Sequence, residues 1–341
     1  MAQETEIKLS LPQSAHRALL RHPLLAAAQS LGTRRLVNVY YDTADLALQR
    51  KGIALRTRKA GRLWLQTVKC AGSSAAGLAV RPEWECPFAG AFDFGGIDDP
   101  GVRTLLERQH LRAHLEPAFE TVFTRRTWRI AGRRGGTVLL MLDRGRIDAG
   151  GRSVPISEIE IELERGAAGA LFDVALALAA TLPLRPEILS KAERGFRLRL
   201  DLPPQPAKAA PSPLDPAQTP LQAFGAIATA CLTQLQLNAL GAGAAEPEFI
   251  HQMRVALRRL RCALRVFRPL LPDRFEATVV PHFRALARAL GAARDLDVLA
   301  GQILAPARAA FARHPHLAAL EATVARAQRR VLSMHRALLQ R

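Results

Sequence analysis

The chain has 341 residues, 49% hydrophobic and 23% charged, with 48 Lys+Arg against 30 Asp+Glu and a formal charge of +18. This composition excludes a disordered or fibrous chain, and the length suffices for two domains that each bury a core. No apolar run reaches the ~20 residues of a membrane span, the N-terminus is no secretory leader, and four cysteines without a CxxC pair indicate neither a disulfide framework nor a zinc site. A cytoplasmic protein with a polyanionic partner is expected.

The first element reads as a strand, Glu4-Thr5-Glu6-Ile7-Lys8-Leu9-Ser10-Leu11. Successive side chains point to opposite faces, so Glu4, Glu6, Lys8 and Ser10 share one face and Ile7, Leu9 and Leu11 the other. A helix follows over Ser14–Leu31, begun by Pro12, and a second is expected over Gly166–Leu182. Between them lie more alternating segments with cations on the polar face: Arg56 and Arg58, then Lys69, then Arg81 with Glu83 and Glu85, then Arg125, with Asp143 closing another. Glu158, Glu160, Glu162 and Glu164 line one face of a late strand about 7 Å apart. Four like charges in a row are destabilising unless cations sit against them. A sheet with one densely charged face of both signs and one apolar face is most simply curled around a polar lumen, with helices over its apolar outside. Carboxylates and guanidinium groups facing each other suit metal-dependent polyphosphate chemistry, or a structural ion-pair network.

The stretch from Pro203 to Pro220 holds seven prolines and reads as a semi-stiff linker. Before residue 204 the chain carries 30 basic and 22 acidic side chains; after it, 18 and 8. The later part has three- and four-residue periodicity and no alternating strand, so an α+β domain precedes an all-α one. Within the latter, His251, Arg254, Arg258, Arg261, Arg265 and Arg268 fall on one arc of a helix about 26 Å long, opposite Met253, Ala256, Leu257, Leu260, Ala263, Leu264 and Phe267. No acidic side chain interrupts the stripe, and a bound polyanion would relieve its repulsion.

Glu4-x-Glu6-x-Lys8 resembles the ExExK signature of the CYTH, or triphosphate tunnel metalloenzyme, superfamily. Further motifs follow in that family's order. They are Tyr40-Tyr41-Asp42-Thr43, Leu55-Arg56-Thr57-Arg58, Thr67-Val68-Lys69, Arg81-Pro82-Glu83, Arg125 before Trp128, and Leu142-Asp143-Arg144-Gly145. The Glu158–Glu164 strand and Ser190-Lys191-Ala192-Glu193-Arg194-Gly195 complete the series. The resemblance covers about residues 1–200 and is to the bacterial inorganic triphosphatase branch. It implies an eight-stranded antiparallel β-tunnel with covering helices over residues 1–202, and Mg²⁺ or Mn²⁺ as cofactor. It places metal ligands at Glu4, Glu6, Glu160 and Glu162, and catalysis on Lys8, Glu4 and Glu6. Phosphate-gripping cations fall at Lys8, Arg56, Arg58, Lys69, Arg125, Lys191 and Arg194.

The Arg-rich helix, followed by Gly291-Ala292-Ala293-Arg294-Asp295-Leu296-Asp297, resembles the CHAD domain. That family is all-helical, binds inorganic polyphosphate and often follows a CYTH domain across a linker. The resemblance assigns residues 203–220 to the linker and 221–341 to the first of the domain's two similar helical halves. It implies polyphosphate binding through His251, Arg254, Arg258, Arg261 and Arg265, and association with polyphosphate granules.

The expected function is hydrolysis of inorganic triphosphate (tripolyphosphate) to pyrophosphate and phosphate, with a polyphosphate-binding helical appendix. One alternative keeps the tunnel but gives it an organic triphosphate, as in thiamine triphosphatases and adenylate cyclases. Another is a non-catalytic polyphosphate module, against which the intact Glu4, Glu6, Lys8, Glu160 and Glu162 argue. Neither membrane association nor specific nucleic-acid binding is expected, the latter because aromatic residues make up only 5% of the chain.

Overall fold

The computed structural model describes residues 3–338, apart from 76–77, 133–135, 213 and 243–245. Its chain divides into two compact units, residues 1–203 and 204–341.

The alternating N-terminal stretch forms β1 (Gln3–Ser10), and its two halves have different partners. The other strands are β2 (Gln29–Asp42), β3 (Ile53–Ala60), β4 (Leu63–Cys70), β5 (Ser73–Ala75), β6 (Leu78–Pro87), β7 (Glu116–Ala131), β8 (Thr137–Ala149), β9 (Arg152–Arg165) and β10 (Arg185–Pro186). Residues Glu6–Ser10 of β1 pair with β9, while Gln3–Ile7 pair with β6. This closes the antiparallel ring β1-β9-β8-β7-β2-β3-β4-β6, an eight-stranded barrel to which β5 and β10 attach as short extra strands. A closed ring leaves no free edge, and alternation then sends every second side chain into the lumen.

The outward positions are apolar and covered. Ile7, Leu9, Leu140, Leu142, Ile159 and Ile161 pack with Leu19 of α1 (His16–Leu20), Leu25 of α2 (Pro23–Ala26) and residues after β9. On another side, Leu55 and Val68 pack with Phe94, Ile97, Leu106 of α3 (Pro100–Glu107) and Leu111 of α4 (Gln109–Ala113). The expected helix over Gly166–Leu182 is α5 (Gly169–Ala179), whose Leu171, Val174 and Leu178 join the first of these clusters.

The expected helix over Ser14–Leu31 is not formed. Pro23 has no N–H to continue α1, and His22 turns to an extended backbone, its Nδ1 accepting from the Leu24 N–H at 3.2 Å to start α2. From Gln29 the chain is strand, because Gln29 to Arg35 pair with Arg129 to Thr124 of β7.

Helix α6 (Lys191–Arg199) packs against β7, β8 and β9, and its Lys191, Ala192 and Phe196 line the lumen. Ser190 and Glu193 form a reciprocal capping box at its start. Its Phe196 meets Phe119 edge-on at 5.0 Å, and Phe119 stacks on Tyr40 at 4.4 Å. Gly195 permits this approach, since a Cβ there would lie 2.1 Å from the Phe119 ring.

In the second unit the Pro-rich stretch is tied down. Ala207 exchanges two hydrogen bonds with the Asn238 amide at 2.9 and 3.0 Å, and Arg259 donates to the Ala210 carbonyl at 3.1 Å. Pro213 lies outside the described residues. Helices follow: α7 (Pro220–Ala239), opened by a Thr219/Gln222 capping box, α8 (Pro247–Val266), α9 (Asp273–Val298), α10 (Ala305–Ala310) and α11 (Pro315–Leu338), with a π-helical segment Leu299–Leu304 before α10. Buried Met253, Ala256, Leu257, Leu260, Ala263 and Leu264 of α8 form the core with α7 and α9. No helix among the described residues is long and apolar enough to cross a membrane.

Candidate functional site

Alternation on the closed ring brings Glu4, Glu6 and Lys8 of β1 into the lumen. Across from them stand the β9 carboxylates in register: Glu6 opposite Glu162, Lys8 opposite Glu160, Ser10 opposite Glu158. The cavity has a volume of about 740 Å³ and is lined by Glu4, Glu6, Lys8, Arg56, Arg58, Lys69, Arg81, Arg125, Glu160, Glu162 and Lys191, among others. The metal- and phosphate-site residues expected in the barrel all line this cavity except Arg194. That side chain is not in the wall of the cavity: its Nη1 binds Glu158 at 2.7 Å and its Nη2 donates to the Pro155 carbonyl.

The row of four β9 carboxylates shows how the barrel handles like charges. Glu164 is met by Arg129 at 2.6 Å. Glu158 and Glu160, with Asp143 of β8, form the one carboxylate trio among the described residues in which one oxygen from each lies within 4.8 Å of the others. The Lys191 ammonium sits among them, 2.7 Å from Asp143, 2.9 Å from Glu160 and in contact with Glu158. Burial works against its charge, but the three carboxylates outweigh that and hold its pKa above the ordinary lysine value. Arg125 adds a bidentate pair to Asp143 at 2.7 and 2.6 Å and also reaches Glu160. Burial would raise the Glu160 pKa; Lys191, Arg125 and Lys8 overcome it and hold the carboxyl well below its usual range.

Glu162 is the exception. It makes no hydrogen bond or ion pair among the described residues. Burial, and then the charges of Glu4 and Glu6, push its carboxyl up to about 7. Glu4 itself accepts two bonds from Lys69 at 2.8 Å and one from Arg81 at 3.0 Å. Burial opposes its charge, yet Lys69, Arg81 and Lys8 bring it down to about 2. Glu6, buried, is held by Lys8 and by Arg81. Glu162 thus sets carboxylate oxygens that no cation holds beside those of Glu4 and Glu6, and an all-oxygen donor group is what a hard divalent cation takes.

The β3 arginines face the same cavity with fewer acidic contacts. Arg56 is 3.7 Å from Glu83 and 3.4 Å from the Tyr40 hydroxyl, and its Nε is buried without a partner. Arg58 is 4.0 Å from Glu85, and burial, then repulsion from Arg56 and Arg125, pull its guanidinium down to about 10. Arg81, Tyr40 and Asn38 are lumen residues outside the expected site. Arg81 and Tyr40 stood in recognised motifs, and Asn38 carries only the weak signal of alternation.

On α8, Arg258, Arg261 and Arg265 are exposed, and His251 and Arg254 half-buried. None of the five makes an ion pair or hydrogen bond among the described residues. Gly291 of α9 leaves room for Arg254, since a Cβ there would come 3.0 Å from its Nη1. Arg268 departs from the expected stripe. It precedes Pro269, lies beyond the end of α8 in a 3₁₀ turn, and pairs with Glu276 at 2.8 Å.

Comparison with known proteins matches residues 2–196 to the CYTH domain family and residues 226–341 to the CHAD domain family. The inorganic triphosphatase of Haemophilus influenzae is 32% identical over 205 residues, 58% of this chain and 55% of that protein. The chain therefore spans about half the length of this curated relative. Among solved structures, an adenylyl cyclase candidate from Hippeastrum, described as having a dominant triphosphatase activity, is 21% identical. It aligns over 57% of this chain and 95% of its own, with a TM-score of 0.39. The CHAD domain from the plant Ricinus communis is 34% identical over 40% of this chain and 45% of its own, with a TM-score of 0.33.

Proposed function

This chain belongs to the CYTH domain family, and we propose that its barrel is a metal-dependent inorganic triphosphatase that hydrolyses tripolyphosphate to pyrophosphate and phosphate. The observation that carries this reading is the juxtaposition in one cavity of a carboxylate group left short of cations, around Glu162, with arginines left short of carboxylates, Arg56 and Arg58. A metal–triphosphate complex supplies both missing partners at once. The H. influenzae relative supports the choice of inorganic substrate.

Glu4, Glu6, Glu160 and Glu162 would hold the metal, an all-oxygen set that suits Mg²⁺ or Mn²⁺. When bound, the ion neutralises charge on phosphate oxygens. Arg56, Arg58, Arg125, Lys69 and Lys191 grip the phosphates, using donors of fixed direction at the places where negative charge gathers. Lys8 lies against Glu6 and 3.7 Å from Glu160, so it orients two of the carboxylates and stands where it can meet a phosphate oxygen. Arg194 acts one step away, by fixing Glu158. Phosphoryl transfer needs positioning and charge neutralisation more than covalent help, and the lumen provides both.

The unpaired stripe of His251, Arg254, Arg258, Arg261 and Arg265 is the proposed seat of inorganic polyphosphate on the helical unit. A panel of tripolyphosphate, ATP, thiamine triphosphate and long-chain polyphosphate, each with Mg²⁺ and with Mn²⁺ and read by phosphate release, tests the whole assignment. Tripolyphosphate is expected to be turned over fastest. A clear preference for an organic triphosphate would reassign the substrate, and no metal-dependent release from any of them would leave a binding module.

A further inference from the structure

The lumen arginines differ in what holds them. Arg125 is gripped by a carboxylate, Asp143, through both Nε and Nη2. Arg81 is gripped by Glu4 and Glu6. Arg58 instead donates its Nε–H to the side-chain oxygen of Asn38 at 2.9 Å, and its closest carboxylate contact is the 4.0 Å approach of Nη1 to Glu85. Asn38 lies directly opposite Arg58 in the β2–β3 register and directly opposite Thr121 in the β2–β7 register. Both Asn38 and Thr121 are completely buried. Because an Nε–H can only donate, the amide oxygen must face Arg58, and the Asn38 Nδ2 then donates to Thr121 Oγ1 at 2.8 Å. The amide is thus fixed from two strands. Two residues on, Tyr40 offers Arg56 a neutral hydroxyl, there at Nη1 and 3.4 Å.

We propose that Asn38 is a positioning residue for phosphate binding. It anchors Arg58 through Nε with a neutral acceptor, so that the two Nη groups keep their charge for the substrate. The inference rests on the triphosphatase reading above. Its physical core is the contrast with Arg125: a carboxylate anchor forms a bidentate ion pair that offsets the guanidinium's charge, and an incoming phosphate would have to compete with it, whereas an amide oxygen brings no opposing charge. Strand β2 therefore makes the β3 side of the lumen the electropositive seat, while the carboxylates of β8 and β9 hold Arg125 of β7 and Lys191 of α6.

The test compares Asn38→Asp, which keeps the shape and adds the charge, with Asn38→Ala, alone and combined with Arg58→Ala. Tripolyphosphate affinity is measured by calorimetry on the full chain in metal-free buffer, and KM and kcat are measured with metal. Asn38→Asp is expected to weaken binding about tenfold and raise KM by a similar factor, with kcat within about twofold. Asn38→Ala is expected to weaken binding about threefold, because the anchor is lost but no competitor is added. In the Arg58→Ala background neither change should have any further effect. If Asn38→Asp binds as tightly as wild type, or if its loss multiplies with that of Arg58→Ala, the proposal is overturned. Should the aspartate variant not fold, Asn38→Ala decides: equal losses with and without Arg58 would mark a purely structural residue. The binding measurement stands whether or not the wild type turns over, so absence of turnover would count against the triphosphatase reading alone.

Discussion

In the barrel, Lys191 and Arg125 lie within hydrogen-bonding distance of Asp143 and Glu160, whereas on α8 Arg254, Arg258, Arg261 and Arg265 have no acidic partner among the described residues. The difference is one of purpose. Around Asp143 and Glu160 each buried charge is answered by a named opposite, so its direction and distance are fixed before any ligand arrives. On the helix the charges are repelled by each other and screened by water, and only a ligand would answer them. Loss of one lumen residue should therefore be specific and severe, while loss of stripe residues should be graded and salt-dependent.

The largest effect is expected at Glu6, which stands at the carboxylate-rich end of the lumen. Glu6→Ala should take metal-dependent phosphate release below detection, with the circular dichroism spectrum unchanged, and chelation of the wild type should do the same until Mg²⁺ or Mn²⁺ is returned. Equal activity of the variant at ordinary metal concentrations would remove Glu6 from the metal site. Next comes Lys191. Lys191→Met removes the one cation that Asp143, Glu158 and Glu160 share, leaving Arg125 and Arg194 at their edges, and breaking such a buried group costs about 3–5 kcal/mol. The denaturant midpoint should fall accordingly; an unchanged midpoint would mean that the trio is neutralised in some other way.

A smaller and more selective effect is expected at Arg58, the cation with the weakest acidic contact. Arg58→Ala should raise KM about tenfold and leave kcat nearly intact, since a removed phosphate contact lowers affinity before it alters chemistry. A lowered kcat at constant KM would move Arg58 from binding to the reacting centre.

These contrasts were legible in the sequence to different degrees. Period-two alternation in residues 4–10 and 158–164 displayed the two faces of β1 and β9 directly, and the order of motifs supplied the ring. The pairing of particular charges was not legible, because it depends on the register across the closure: Lys69 meets Glu4 over 65 positions of chain. Asn38 escaped notice for a related reason. A neutral polar residue between Val37 and Val39 carries no charge signal, and its meaning appears only when Arg58 is brought opposite. Helical periodicity overreached twice, at Pro23 and before Pro269, where the missing N–H or the steric demand of proline overrides an apolar pattern.

The smallest effects belong to the stripe, and they bear most directly on the comparison. Arg254 and Arg258 lie off the core-facing side of α8, so replacing both by Gln should leave helicity and melting temperature unchanged. The full chain with intact α8 should bind long-chain polyphosphate with an affinity that falls steeply as salt rises, because each neutralised phosphate releases condensed counterions. The double variant should bind several-fold more weakly and with a shallower salt slope, reporting two lost contacts. Arg268 is already paired with Glu276, so Arg268→Gln should change neither affinity nor slope. A flexible linear polyanion can follow an uncompensated row of guanidinium groups along the helix, whereas a nucleic acid brings its charges on a backbone encumbered by bases. Competition at fixed salt between polyphosphate and single-stranded DNA of equal charge is therefore the sharpest measurement. Polyphosphate should displace DNA at lower concentration than DNA displaces polyphosphate; equal competition would reduce the stripe to a generic basic surface and leave the lumen as the chain's specific phosphate site.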